Sequence, residues 1–184
     1  VQIEIHDRLQ RYPVIDAVWQ EYIIDQIICD RGIRIDQRLV ENAIKIDALT
    51  KDSITKRMKE ITGLDNPNSV SQLKGWLSSK GIEVESLGKK QVQELIKTVP
   101  DDVKEVLELR LQLAKSSVKK YEAMQSCMCP DGRCRGLFQF YGANRTGRWA
   151  GRLIQLQNLP QNHMPDLDLA RSIVREGDYE LLDL

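Results

Sequence analysis

The chain has no net charge: its 184 residues carry 27 Lys and Arg against 27 Asp and Glu. This excludes a protein that holds nucleic acid or membrane through overall charge and leaves only local patches. Aromatic residues make up just 5%, so the core must be built from Ile, Leu and Val. The two histidines, His6 and His163, fall in no arrangement of nucleophile and base that the sequence supports. No apolar run is long enough to cross a membrane, and no signal-peptide pattern opens the chain. The four cysteines do not make a secreted disulfide framework: three crowd into "CMCPDGRC" and Cys29 sits alone. A reduced, intracellular compartment is the simplest reading. With 41% hydrophobic and 29% charged residues, the composition is that of a folded chain and excludes a disordered one. The chain opens on Val1 and closes in the apolar-acidic "DYELLDL", which reads as a fragment of something larger.

What is present is uneven. Between Arg110 and Arg152 stand nine basic residues: Arg110, Lys115, Lys119, Lys120, Arg133, Arg135, Arg145, Arg148 and Arg152. Only Glu122 and Asp131 oppose them. From His163 onward the sign reverses, with six acids against Arg171 and Arg175. The basic region ends in "FYGANRTGRWAGRLIQLQNLPQN", where three arginines among glycines run into Gln155, Gln157, Asn158, Gln161 and Asn162. Guanidinium forks grip phosphates and base edges, and side-chain amides donate and accept in one plane. Sharing one face, these residues suit nucleic acid. The competing reading has the amides capping strand ends and the arginines pairing with the acidic C-terminal helix.

Periodicity predicts a helix over 14–30, with Ala17, Val18, Tyr22, Ile24, Ile27 and Ile28 at helical spacing, ended by Gly32. Asp36 is placed to cap a long helix from about Gln37 to Thr62, and "GLDNPN" breaks it. Ser69 caps a short helix, "KKQVQELIKTV" forms another, and a second long rod is predicted from Val103 to about Ser126. The Pro-Asp-Gly of "CMCPDGRCRGLFQF" predicts a hairpin. One further helix follows Pro165, capped by Asp166 or Asp168 and ended by Gly177. The fold class is mainly α with a small β component: two long antiparallel helices with a helical tip, and an incomplete base containing a β-hairpin. Zinc ligation by the cysteines is not favoured, because "CxCxxxxC" supplies three ligands at poor spacing. Alternation along hairpin strands accounts for Cys127, Cys129 and Cys134, and no metal is assigned.

"TGRWAGRLIQLQNLP" resembles the segment that opens the palm of family-A DNA polymerases, in which Thr-Gly-Arg precedes a Gln-Asn-Ile/Leu-Pro at fixed spacing. Thr146, Gly147, Arg148, Gln157, Asn158, Leu159 and Pro160 keep it. "DRGIRIDQRLVEN" resembles the family's approach to its first thumb helix. "NPNSVSQLKGWLSSKGI" resembles the thumb-tip helix, with Asn66, Ser69, Gln72 and Leu73 on the pattern. "LELRLQLAKSSVKKY" resembles the second thumb helix. The form most similar is that of phages and prophages. Where most members have Asp-Pro-Asn, this chain has Leu153-Ile154-Gln155.

The resemblance implies three regions: 1–35, a helix and connector entering the palm; 36–126, the thumb; and 127–184, the first part of the palm. It implies a segment of a DNA-directed DNA polymerase, acting in replication in the bacterial host cytoplasm, that binds primer-template duplex. The family's catalytic aspartates and their Mg2+ are expected beyond Leu184, with no cofactor in this segment. Arg148 is expected to read minor-groove acceptors, which every correct base pair presents. Gly147 admits the duplex, and Thr146, Gln155, Gln157 and Asn158 support it. Arg145, Arg110, Lys115, Ser116, Asn66 and Ser69 are expected at the DNA backbone or the thumb tip. The remainder of the polymerase is the implied protein partner. The alternative is a stand-alone helical module for nucleic acid or protein, without catalysis, forming homo-oligomers through an exposed apolar surface.

Overall fold

The computed structural model describes residues 1–114, 118–159 and 163–178. The chain divides into two compact units. One combines Val1–Val40 with Glu122–Arg171; the other combines Glu41–Tyr121 with the chain from Ser172.

The second unit is helical. Helix α3 (Gln37–Thr62) starts where Asp36 accepts the Leu39 N–H at 3.1 Å, and stops before Gly63, whose φ of +68° suits a residue without a β-carbon. Helices α4 (Val70–Ser79), α5 (Lys89–Leu95) and α6 (Asp101–Leu113) follow. Ile54 and Met58 of α3 bury against Leu73, Trp76 and Leu77 of α4, Val92 of α5, and Val103, Val106 and Leu107 of α6. Each fully buried side chain of this size contributes about 1.5–3 kcal/mol. At the rim Arg57 meets Glu105 at 2.7 Å, and Lys80 bonds Asp102 at 2.8 Å while lying over the Trp76 ring.

The rod expected from Val103 to Ser126 is not described as one helix. Helix α6 closes at Leu113, with Ala114 as its cap, and α7 runs Lys119–Cys127. Residues 115–117 lie outside the described residues. The fully buried side chains of α6 end at Leu107, and none on α7 is fully buried.

The first unit mixes helix and sheet. It begins with α1 (Gln2–Leu9), which the sequence reading did not anticipate, and α2 (Asp16–Arg31), which ends at Gly32 as expected. Strand β1 (Ile33–Arg34) pairs antiparallel with β2 (Arg133–Cys134), Ile33 opposite Cys134. A β-carbon on Gly32 would sit 2.6 Å from the Cys134 carbonyl oxygen, so this pairing needs glycine there. The Pro-Asp-Gly turn forms, with Gly132 N–H on the Cys129 carbonyl and Cys129 N–H on Arg133. Its flanks pair as the expected hairpin through one antiparallel bridge, Met128 to Cys134, while Cys127 ends α7 and β2 also takes β1 as its strand partner. Alternation along strands therefore does not account for Cys127. That residue instead packs with Met124 against the buried Cys134, Leu137 and Ile154. Arg135 clamps the turn through two bonds to Asp131, at 2.9 and 2.6 Å.

A second antiparallel pair joins β3 (Phe138–Ala143) and β4 (Arg148–Gly151), with Phe138 opposite Gly151 and Ala143 opposite Arg148. Beyond β4 come a short 3-10 turn (Leu156–Asn158) and α8 (Leu167–Glu176), which ends at Gly177 as expected. Helix α2 departs from the expected pattern. Tyr22, Ile24 and Ile27 are exposed, and the one fully buried side chain on the helix is Asp25, 3% exposed.

Candidate nucleic-acid interface

The segment 139–158 sits on a hairpin whose backbone is unusual. The β3–β4 register shifts between Gln139 and Ala143, a bulge-type irregularity that re-aims side chains. Three non-glycine residues among those described have positive φ: Tyr141, Leu153 and Gln155, at +53°, +52° and +52°. All three fall in this segment. Such conformations cost of order 1–3 kcal/mol each and concentrate at functional sites.

The hairpin turn is built by Ala143, whose carbonyl accepts the Thr146 and Gly147 N–H groups, each at 2.9 Å. Gly147 has φ +65°, and a β-carbon there would lie 2.8 Å from Tyr141 Cζ. Glycine is required both by the backbone and by the Tyr141 ring. The turn leaves Arg145, Thr146 and Arg148 exposed. Neither guanidinium has an ion-pair or hydrogen-bond partner among the described residues, so both remain available to a ligand. Arg152 is different: its guanidinium donates across the hairpin to the Gln139 amide oxygen. It is thus tied neither to the acidic C-terminal helix nor to solvent alone.

The amides that follow are partly used within the chain. Asn158 Nδ2 donates to Gln155 Oε1 at 3.1 Å across the 3-10 turn. The Gln157 amide occupies the space into which a β-carbon of Gly151 would project. All three remain exposed. The structure thus brings Thr146, Gly147 and Arg148 together on one turn, and Gln155, Gln157 and Asn158 together on the next, with Gln157 against β4.

In the other unit three further expected residues converge. Ser69 caps α4, accepting the Gln72 N–H at 3.5 Å, and Gln72 Oε1 returns to accept the Asn66 N–H at 3.0 Å. Arg110 donates Nη1 to the Asn68 carbonyl at 3.3 Å. Its partial burial lowers its pKa from the ordinary arginine value. Asn66 is exposed and Ser69 half-buried. A helix N-terminus with a neighbouring guanidinium is compatible with phosphate. Lys115 and Ser116, and with them Gln161 and Asn162, lie outside the described residues.

Two features were missed. Asp25, in the middle of the apolar run "YIIDQII", accepts from Trp149 Nε1 at 2.7 Å and from Gln26 Nε2 at 3.0 Å. A lone acid in such a run was the available signal. Trp149 turns its indole N–H onto Asp25 and packs edge-to-face on Phe140. The positive φ of Tyr141 had no signal beyond the following glycine. Among the described residues no group of three or more His, Cys, Asp or Glu side chains could hold a metal ion.

Over 185 aligned residues the chain is 49% identical to a DNA polymerase of Bacillus phage SP02, an alignment covering 100% of this chain and 28% of that protein. The chain thus spans about a quarter of the length of the curated relative it matches. No family model matches it, and no solved structure matches it.

Proposed function

We propose that this chain is a segment of a phage-type, family-A DNA-directed DNA polymerase, and that it grips primer-template duplex rather than performing the chemistry. The observation that carries this reading is the 49% identity to a phage DNA polymerase over the whole chain. The exposed Thr146-Gly147-Arg148 turn supports it. In this reading 36–126 is the thumb, and 1–35 with 127–184 belongs to the palm. The enzyme works in the bacterial host cytoplasm during replication. Arg148 donates to minor-groove acceptors, which report pair geometry without selecting sequence. Arg145 takes a phosphate. The α4 cap, with Asn66, Ser69 and Arg110, meets the duplex backbone, as do Lys115 and Ser116. Mg2+ belongs to the larger enzyme. The described residues offer no donor set that fits it, and no metal-dependent step is assigned to them.

The test is fluorescence anisotropy of a labelled primer-template duplex with the 184-residue chain over a salt series, alongside Arg148→Ala. Binding that weakens with salt, and weakens further in the variant, supports the reading. A folded chain that binds no duplex at low salt removes it.

A second reading, a stand-alone interaction module, draws on the apolar face of α2, where Trp19, Ile23, Ile24 and Ile27 are exposed. In the polymerase reading that face meets the remainder of the enzyme; in the module reading it meets a second copy. Sedimentation of the chain with and without Ile24→Lys separates them: a dimer that the variant dissolves favours the module.

A further inference from the structure

We infer that Tyr141 is a nucleobase-stacking residue of the same site, contacting an unstacked base at the end of the duplex. This rests on the duplex-binding reading above.

Several independent features set Tyr141 apart. The register shift lets the chain turn its side chain toward the 143–147 turn instead of leaving it in line with the strand. The residue adopts φ +53°, a region that bulky side chains avoid. The neighbouring Gly142 is closely packed: a β-carbon there would lie 2.5 Å from Ala150 Cβ. The ring itself lies against Gly147, which admits no side chain. Three special positions, 141, 142 and 147, therefore hold one aromatic ring where it is.

That ring is not buried. It remains 55% exposed, with Phe140 beside it at 5.6 Å between centroids and a 55° tilt. An aromatic held for packing alone would gain most from burial and from relaxed backbone. Tyr141 has neither. It is an aromatic surface fixed against Gly147, the residue that precedes Arg148 in the chain, and the Arg148 guanidinium has no partner among the described residues. A rigid, exposed aromatic plane is the chemistry that takes a base, since every base has a π-face, and that guanidinium on the same hairpin supplies charge to offset a phosphate. Within a duplex the π-faces are covered, so the ring can reach one only at a terminal or unpaired position. It therefore recognises the duplex end.

The test uses the 184-residue chain and primer-templates with 5-iododeoxyuridine at the primer 3′ terminus, at the first unpaired template position, or inside the duplex. Ultraviolet irradiation followed by peptide mapping is expected to cross-link Tyr141 to one of the two end positions and not to the internal one. In parallel, Tyr141→Ala is expected to weaken duplex binding about tenfold, and Tyr141→Phe to retain it. Cross-linking of the unmodified chain does not depend on how well a variant folds. If Arg148→Ala weakens binding while Tyr141→Ala does not and Tyr141 acquires no cross-link, the stacking role is overturned and the duplex reading stands. Cross-links from the internal position alone overturn it too. If the folded chain binds no duplex, both fall.

Discussion

Trp149 donates its indole Nε1–H to Asp25 Oδ1 at 2.7 Å, joining β4 to α2 across 124 residues of sequence. The acid sits on a helix whose other side chains are not fully buried, and the bond is made one residue from Arg148. A buried carboxylate is tolerated only when its oxygens are occupied, and Trp149 and Gln26 occupy them. The orientation of the hairpin on α2 therefore depends on a polar contact set into an apolar surface.

Asp25→Ala is expected to destabilise the chain by about 2 kcal/mol, because it strands the Trp149 donor and leaves space behind. Asp25→Asn keeps an acceptor and should cost less than half of that. Urea unfolding monitored by tryptophan fluorescence checks both. An Asp25→Ala midpoint equal to that of the unmodified chain would show that the Trp149 contact contributes nothing.

Gly147→Ala is expected to damage the turn twice, through its +65° φ and through the Tyr141 ring 2.8 Å from the new β-carbon. The backbone part alone is about 1 kcal/mol. Removing the ring with Tyr141→Ala should recover the steric part and leave the backbone part. A double-mutant cycle on thermal stability then gives a coupling of at least about 0.5 kcal/mol. Strict additivity would mean that the ring does not press on residue 147.

Burial, reinforced by the neighbouring Cys127 thiol, pushes the Cys134 thiol up to about 12 from its usual 9.0. The folded chain therefore holds this proton more tightly than the unfolded chain. Its contribution to stability is complete below about pH 9 and is lost as pH rises toward 12. Unfolding midpoints measured on either side of pH 9 should fall with pH, and fall less steeply in Cys134→Ala. Thiol alkylation at neutral pH should modify Cys129 and Cys127 and spare Cys134. Rapid labelling of Cys134 in the folded chain would contradict its burial.

Ser69→Ala is expected to cost about 0.5 kcal/mol, at the low end for an N-cap, because the Gln72 N–H lies 3.5 Å from Ser69 Oγ. Arg110→Ala removes the donor to the Asn68 carbonyl and should loosen the same loop. Faster hydrogen exchange at Asn66 and Gln72 measures this. If Arg110→Ala weakens duplex binding without changing that exchange, the guanidinium acts on DNA directly and not through the loop.

Much of this was legible in the sequence. The Asp36 cap, the span Gln37–Thr62, the Ser69 cap, the stop at Gly177 and the Pro-Asp-Gly turn each depend on neighbours within a few residues. Local chemistry suffices for them. The β1–β2 pairing was not legible, because it joins residues about a hundred positions apart; nor was the Cys127 environment, because it depends on where α7 ends and on how the chain up to Ile154 folds back onto it. The inner face of α2 was misjudged for the same reason: apolar side chains occur all around that helix, and periodicity cannot tell which of them face solvent.

By itself the sequence determined where α2 ends, where α3 begins and ends, where α4 begins and where α8 ends, and which turn carries the Thr-Gly-Arg arginine, since caps, glycines and apolar spacing act over single turns of chain. Only the tertiary structure decided that Asp25 is buried against Trp149, that Arg152 is spent on Gln139, and that Tyr141 is laid over Gly147. Those outcomes depend on how the β3–β4 hairpin closes on itself and on which face of α2 it meets. Once they meet, hydrogen bonding and excluded volume allow few other arrangements.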